Sequence, residues 1–192
     1  MPFGFYIIMA AQFFSALADN ALLIAAIYAL REMQAPTEYE PLLKTFFTLS
    51  YVLLAAFVGA FADSMPKWRV MFISNAIKIA GCSMMFFGAH PLVAYAVVGL
   101  GAAAYSPAKY GILTEYLPHR LLVVANGWIE GLTVGAIILG VVIGGTLIRP
   151  DISQTLLAFD FPLIDTGVDT IGEMALSIIG VFYIIASLFN LY

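Results

Sequence analysis

The run from Phe3 to Leu30, FGFYIIMAAQFFSALADNALLIAAIYAL, decides the fold: 28 residues with one charge, Asp19. A helix that crosses a bilayer needs about 20 mainly apolar residues, and this stretch exceeds that length. Elsewhere the chain keeps the same character, with 62% hydrophobic residues, 15 Phe and 10 Tyr against only 10% charged residues. In lipid every backbone polar group must be satisfied within its own segment or a closed barrel, and no alternating ten-residue strands occur. The reading is therefore an all-α, polytopic membrane protein.

Six apolar stretches reach spanning length, at about 3–30, 45–62, 70–88, 92–111, 121–148 and 173–192. Between the first two lies the polar segment Arg31 to Pro41, and between the third and fourth a tight Ala89-His90-Pro91 turn. Pro107 removes one backbone hydrogen bond near the end of the fourth helix, where a kink and a separate short segment, Thr114 to His119, are expected. A long acidic connection, Arg149 to Glu173, precedes the sixth stretch, which the chain end cuts off. Lys67, Arg69 and Arg120 fall on one side of the membrane and Arg31, Lys44 and Arg149 on the other, so basic residues barely discriminate the two. Glu32, Glu38, Glu40, Asp151, Asp160, Asp165, Asp169 and Glu173 all fall on the second side. The Lys67 side is read as cytoplasmic, which also places the N-terminus there.

Charges inside such stretches carry the chemistry, because a charge at bilayer depth costs about 2.5 to 3.5 kcal/mol on insertion scales. Gln12, Ser15 and Asp19 fall within about 60° of one another on the first helix, with Asn20 flanking them. That stripe either faces a water-filled cavity or bridges neighbouring helices. On the third helix Ser74, Asn75, Lys78 and Cys82 share a side, and Lys78 lies too deep to reach an interface, so an acid is its expected partner. Lys109 follows Pro107 in Tyr105-Ser106-Pro107-Ala108-Lys109-Tyr110-Gly111; its ammonium either snorkels to the interface or holds an anionic group such as a phosphate. Asn126, Glu130 and Thr133 form a comparable face on the fifth helix, with Glu130 as a cavity residue or an interhelical ion-pair partner. Gly127, Gly131 and Gly135 make overlapping GxxxG units there, extended by Gly140, Gly144 and Gly145, and are expected at a helix–helix contact.

Several function classes are disfavoured. The eight Lys and Arg residues are scattered over a chain of net charge −4, which is no nucleic-acid footprint. His90 and His119 lie on opposite sides, no HExxH, nucleophile-elbow or P-loop motif occurs, and the single cysteine, Cys82, can form neither an intrachain disulfide nor a thiolate cluster. No catalytic residue, metal site or cofactor is expected.

The segment Gly59-Ala60-Phe61-Ala62-Asp63-Ser64-Met65-Pro66-Lys67-Trp68-Arg69 resembles the loop motif that follows the second helix in the major facilitator superfamily. Gly59, Asp63, Lys67 and Arg69 match it, whereas Ser64 and Pro66 stand where Arg and Gly are common. Phe13 to Leu22, Ser106 to Leu113 and Ala125 to Gly131 resemble the bacterial lysophospholipid transporter branch of that superfamily. The resemblance implies a twelve-helix carrier in which residues 1–192 supply the N-terminal six helices as two three-helix repeats, the C-terminal bundle being absent from this chain. It implies Asp19, Asn20 and Lys109 as cavity positions; the polar stripes themselves add Gln12, Tyr105 and Glu130 as substrate-binding candidates. It also implies alternating access that moves lysophospholipid from the outer to the inner leaflet of the bacterial inner membrane, where an acyltransferase partner restores the missing chain. A small-solute or drug carrier and a membrane-embedded acyltransferase subunit are the alternatives.

Overall fold

The computed structural model describes residues 2–158 and 168–191. Among these residues there are seven helices and no strand: α1 (Phe3–Glu32), α2 (Tyr39–Asp63), α3 (Lys67–Phe86), α4 (Pro91–Tyr116), α5 (His119–Leu147), α6 (Pro150–Leu157) and α7 (Ile171–Phe189). Five of them, α1, α2, α4, α5 and α7, are long and apolar enough to cross a membrane. α3 falls below that measure because Lys67, Arg69, Ser74, Asn75 and Lys78 dilute its 20 residues.

Helix ends follow local chemistry. α1 and α3 close in the same way: the amide of the second residue past the cap reaches back five residues, Ala35 to the Leu30 carbonyl and Ala89 to the Met84 carbonyl, each 3.0 Å or less. That closure needs a left-handed residue, supplied by Gln34 (φ 53°) and Gly88 (φ 82°). α2 starts six residues before the apolar run at Thr45, because Tyr39 to Lys44 form its polar first turns and Glu40 reaches Arg31 at 2.8 and 3.1 Å. Thr170 and Glu173 form a reciprocal cap on α7, whose first residue is Ile171 rather than Glu173.

α4 differs from the expectation. It runs nine residues past Pro107 to Tyr116, so Thr114 to Tyr116 belong to the same helix and not to a separate segment. A proline costs a helix one hydrogen bond, and Tyr105 and Ala108 on either side of it are buried with Val70 and Met71 of α3. The connection after α5 also holds the short helix α6, begun by Pro150 and flanked by an Arg149–Asp151 pair that holds the Asp151 carboxyl below its ordinary range. Asp160 and Asp165 of that acidic connection, and Tyr192, lie outside the described residues.

α1 is the central element, packed on α5 and α7 with further contacts to α2, α3 and α4. The largest core cluster runs along Ala18, Ala21, Leu22, Ala25 and Leu30 of α1 and takes in Val98, Ile179 and Tyr183 from α4 and α7. Small residues set the spacing. A methyl group built on Gly101 would lie 2.6 Å from the Ser74 carbonyl, and one on Gly140 2.5 Å from the Leu17 carbonyl, so α4 meets α3 and α5 meets α1 backbone to backbone.

Among the described residues the first glycine stripe of α5 makes no helix–helix contact. Gly127, Gly131 and Gly135 have nothing within 4 Å of an added methyl group, whereas Gly140 and Gly144 press on α1. The helix period explains it: Ala125, Ile129, Ala136, Gly140 and Gly144 are the buried positions, and Gly127 and Gly131 lie two residues off them, about 200° around the helix. α5 thus turns its first glycine stripe away from the bundle, and Gly145 with it.

Candidate functional site

Asp19 lies halfway along α1 and is held from three directions. Lys78 of α3 donates to Oδ2 at 2.7 Å, the Tyr183 hydroxyl of α7 donates to Oδ1 at 2.8 Å, and the Tyr95 hydroxyl of α4 donates to the Asp19 main-chain carbonyl at 3.2 Å. The network continues inward, since Lys78 also donates to Ser15 Oγ at 2.9 Å and Ser15 donates to Asn75 Oδ1 at 2.8 Å. The rings of Tyr105 and Tyr183 stand 5.2 and 5.9 Å from the Lys78 ammonium. Lys78 therefore has its acid, and the pair is nearly dry: side-chain exposure is 3% for Lys78 and 15% for Asp19.

The exposed remainder of Asp19 faces a cavity of about 280 Å³, into which α1 to α5 all contribute. Gln12 and Asn20 of α1 line it, Gln12 through an amide that donates to Thr133 Oγ1 at 3.0 Å and Asn20 through one that donates to the Ala16 carbonyl at 2.8 Å. Tyr105 and Lys109 of α4 complete the set, both buried. The Lys109 ammonium sits 4.5 Å from the Tyr110 ring and makes no ion pair among the described residues, which leaves it without a carboxylate contact inside a half-apolar wall. A cavity with three ammonium groups, Lys78 paired with a carboxylate and Lys44 and Lys109 not, and a rim of tyrosine and serine hydroxyls can hold an anionic oxygen cluster while tolerating hydrocarbon.

Glu130 stands apart. It is exposed, accepts a hydrogen bond from the Tyr110 hydroxyl at 2.5 Å, and does not line the cavity. Its link to the cavity is the Tyr110 hydroxyl, whose ring carries the Lys109 cation.

Sequence reasoning missed the α2 wall. Lys44, Phe47 and Tyr51 line the same cavity, and their spacing of three and four residues puts them on one helix face. That spacing is a signal, but Lys44 stands at the edge of the apolar run, where a lysine is an ordinary loop-side charge. Tyr183 was missed as well: nothing in an isolated apolar helix says which distant carboxylate a tyrosine will meet.

At the opposite end of the bundle, the α2–α3 loop is closed by Lys67. Its ammonium donates to Asp63 at 2.5 Å and to the Ala62 carbonyl at 2.8 Å, and approaches Glu115 of α4 at 3.9 Å. Gly111 makes room for this side chain, because a methyl group there would sit 3.0 Å from Lys67 Cε. Arg69 lies over the Trp68 ring at 5.1 Å, and Gly59 faces open space.

Comparison with known proteins places this arrangement. Over 144 residues, 75% of this chain and 36% of the relative, the chain is 49% identical to the lysophospholipid transporter LplT of Yersinia enterocolitica. It is 48% identical over 140 residues to the LplT proteins of Yersinia pestis and Yersinia pseudotuberculosis, covering 73% of this chain and 34% of each relative. The chain spans about a third of the length of the curated relatives it matches. The Major Facilitator Superfamily model matches residues 8–191, taking in every helix from which the cavity and the Lys67 loop are built, and the chain belongs to that superfamily.

Proposed function

We propose that this chain is the N-terminal half of a lysophospholipid carrier. α1, α2, α3, α4, α5 and α7 serve as six spans arranged as two three-helix repeats, and a second six-helix bundle, absent from this chain, closes the cavity from the other side. The single observation that supports the substrate class is the Lys109 ammonium, buried, without a carboxylate partner, and set among Tyr105, Tyr110 and Ser106 beside an apolar wall. A lysophospholipid offers the matching features, a phosphate, a polar head and one acyl chain. The relatives' name points the same way.

In this reading Lys109 binds the phosphate, and Asp19, Asn20, Gln12 and Tyr105 surround the head. Glu130 orients Tyr110, and the Gly59, Asp63, Lys67 and Arg69 loop is the latch that rearranges as the two halves rock. The open stripe Gly127, Gly131 and Gly135 is offered to the second bundle. The setting is the bacterial inner membrane with the N-terminus and the Lys67 loop in the cytoplasm, and the reacylating enzyme acts on the delivered lipid.

The test is uptake of radiolabelled lysophosphatidylethanolamine by reconstituted vesicles holding this chain with its complementary half. Uptake that Lys109→Gln abolishes supports the reading. A complete carrier that moves a small solute and no lysophospholipid overturns it.

A further inference from the structure

The cavity has a second unpaired cation that the proposed substrate site leaves unused. Lys44 lines the same cavity as Lys109, yet it also borders a separate groove on the outer face of α2, formed with Thr45, Thr48, Leu49 and Val52. It is the one residue common to both. Lys44 is exposed and has no ion-pair partner among the described residues.

Depth separates the two lysines. α2 and α4 run in the same direction, with Tyr39 against His90 at their starts and Phe47 beside Gly99 further along. With that register, Lys44 and Lys109 are about thirteen residues of helix rise apart, or about 20 Å. Lys44 is about 8 Å from the start of α2 and Lys109 about 10 Å from the end of α4, so each lies near the headgroup depth of one leaflet. The Asp19–Lys78 pair, already neutral as a unit, lies between them, since Lys78 packs on Gly101 of α4.

The geometry points to Lys44 as a second phosphate station, at which a single-chain phospholipid is first held with its phosphate on the ammonium and its acyl chain in the α2 groove. The phosphate then passes the neutral Asp19–Lys78 pair to Lys109. Leu49 and Val52 are exposed and apolar, as a seat for hydrocarbon needs, and Thr45 and Thr48 flank the head. A neutral centre between two cations neither traps the anion nor repels it. This assignment rests on the lysophospholipid reading above.

The experiment uses the complete carrier in vesicles and compares Lys44→Gln, Lys44→Arg and the parent with lysophosphatidylethanolamine as substrate. Lys44→Gln should raise KM roughly tenfold, the scale of one charge-assisted contact, and leave the maximal rate within about twofold; Lys44→Arg should keep the parent KM. Glycerophosphoethanolamine, with the same phosphate and no chain, should compete far more weakly than the lipid. An unchanged KM in Lys44→Gln overturns the station while leaving the carrier reading intact, and equal competition by the chainless head overturns the groove. A parent that transports no lysophospholipid overturns the carrier reading and this assignment with it.

Discussion

The two lysines of the polar centre stand a few turns apart and live under opposite rules. Lys78 is locked between Asp19, Ser15 and two tyrosine rings, where α1, α3, α4 and α7 meet. Lys109 is buried too, but its ammonium has an aromatic ring and no carboxylate contact. The same contrast divides α5, whose Gly140 and Gly144 are pressed on α1 while Gly127, Gly131 and Gly135 face outward. One face of the bundle is internally satisfied and supplies stability. The other carries unspent charge and open surface, which is what a ligand or a second bundle requires.

The largest effect is expected at the satisfied face. Lys78→Met removes one partner of a nearly dry ion pair and should cost about 3 to 5 kcal/mol, because the Asp19 carboxylate is left without its counter-charge. Restoring neutrality in the double variant Asp19→Leu/Lys78→Met should recover most of that loss. Both can be read in detergent by the temperature at which the single cysteine, buried Cys82, becomes open to a thiol dye. Equal destabilisation of single and double variants would show that shape, not charge, matters there.

Next comes Gly144→Leu. A methyl group alone would lie 2.8 Å from the Ala21 carbonyl, so the larger side chain must push α5 off α1. Overpacking of this kind costs about 1 to 3 kcal/mol, and the backbone on both sides puts this site at the upper end. The matched control, Gly131→Leu, should be neutral or slightly stabilising in this chain, by up to about 1 kcal/mol, through better helix propensity. If the two substitutions destabilised alike, the outward placement of the first stripe would be wrong.

Lys109→Gln should change stability least, within about 0.5 kcal/mol, since no carboxylate loses a partner. On the proposed function its effect falls on transport, and uptake by the complete carrier should drop on the order of tenfold or more, the worth of a charge-assisted contact. Loss of folded protein in step with loss of transport would move Lys109 to the satisfied face and erase the contrast.

Much of this was legible in the residues. The apolar run around Asp19 announces a spanning helix whatever its neighbours, because the cost of exposing backbone or charge to lipid is a local property of the segment. The need of Lys78 for an acid was equally local, as was the Gln12, Ser15 and Asp19 stripe. Pro107 misled, since a helix that is packed on both sides of a proline can continue through it. The glycines of α5 misled for a related reason: two stripes of small residues stood about 180° apart, and spacing alone does not say which one faces inward.

The sequence by itself determined the helices, their apolar character, the unaffordable charges and the loop in which Lys67 answers Asp63, all of which rest on interactions within one turn or one segment. Only the tertiary structure decided that Asp19 belongs to Lys78 and Tyr183 rather than to Lys109, that Lys44 shares a cavity with residues 65 positions away, and that Gly140 and Gly144 carry the α1 contact. Those choices depend on where each helix crosses the next, and a crossing is set by the joint fit of two surfaces, which no single stretch of chain contains.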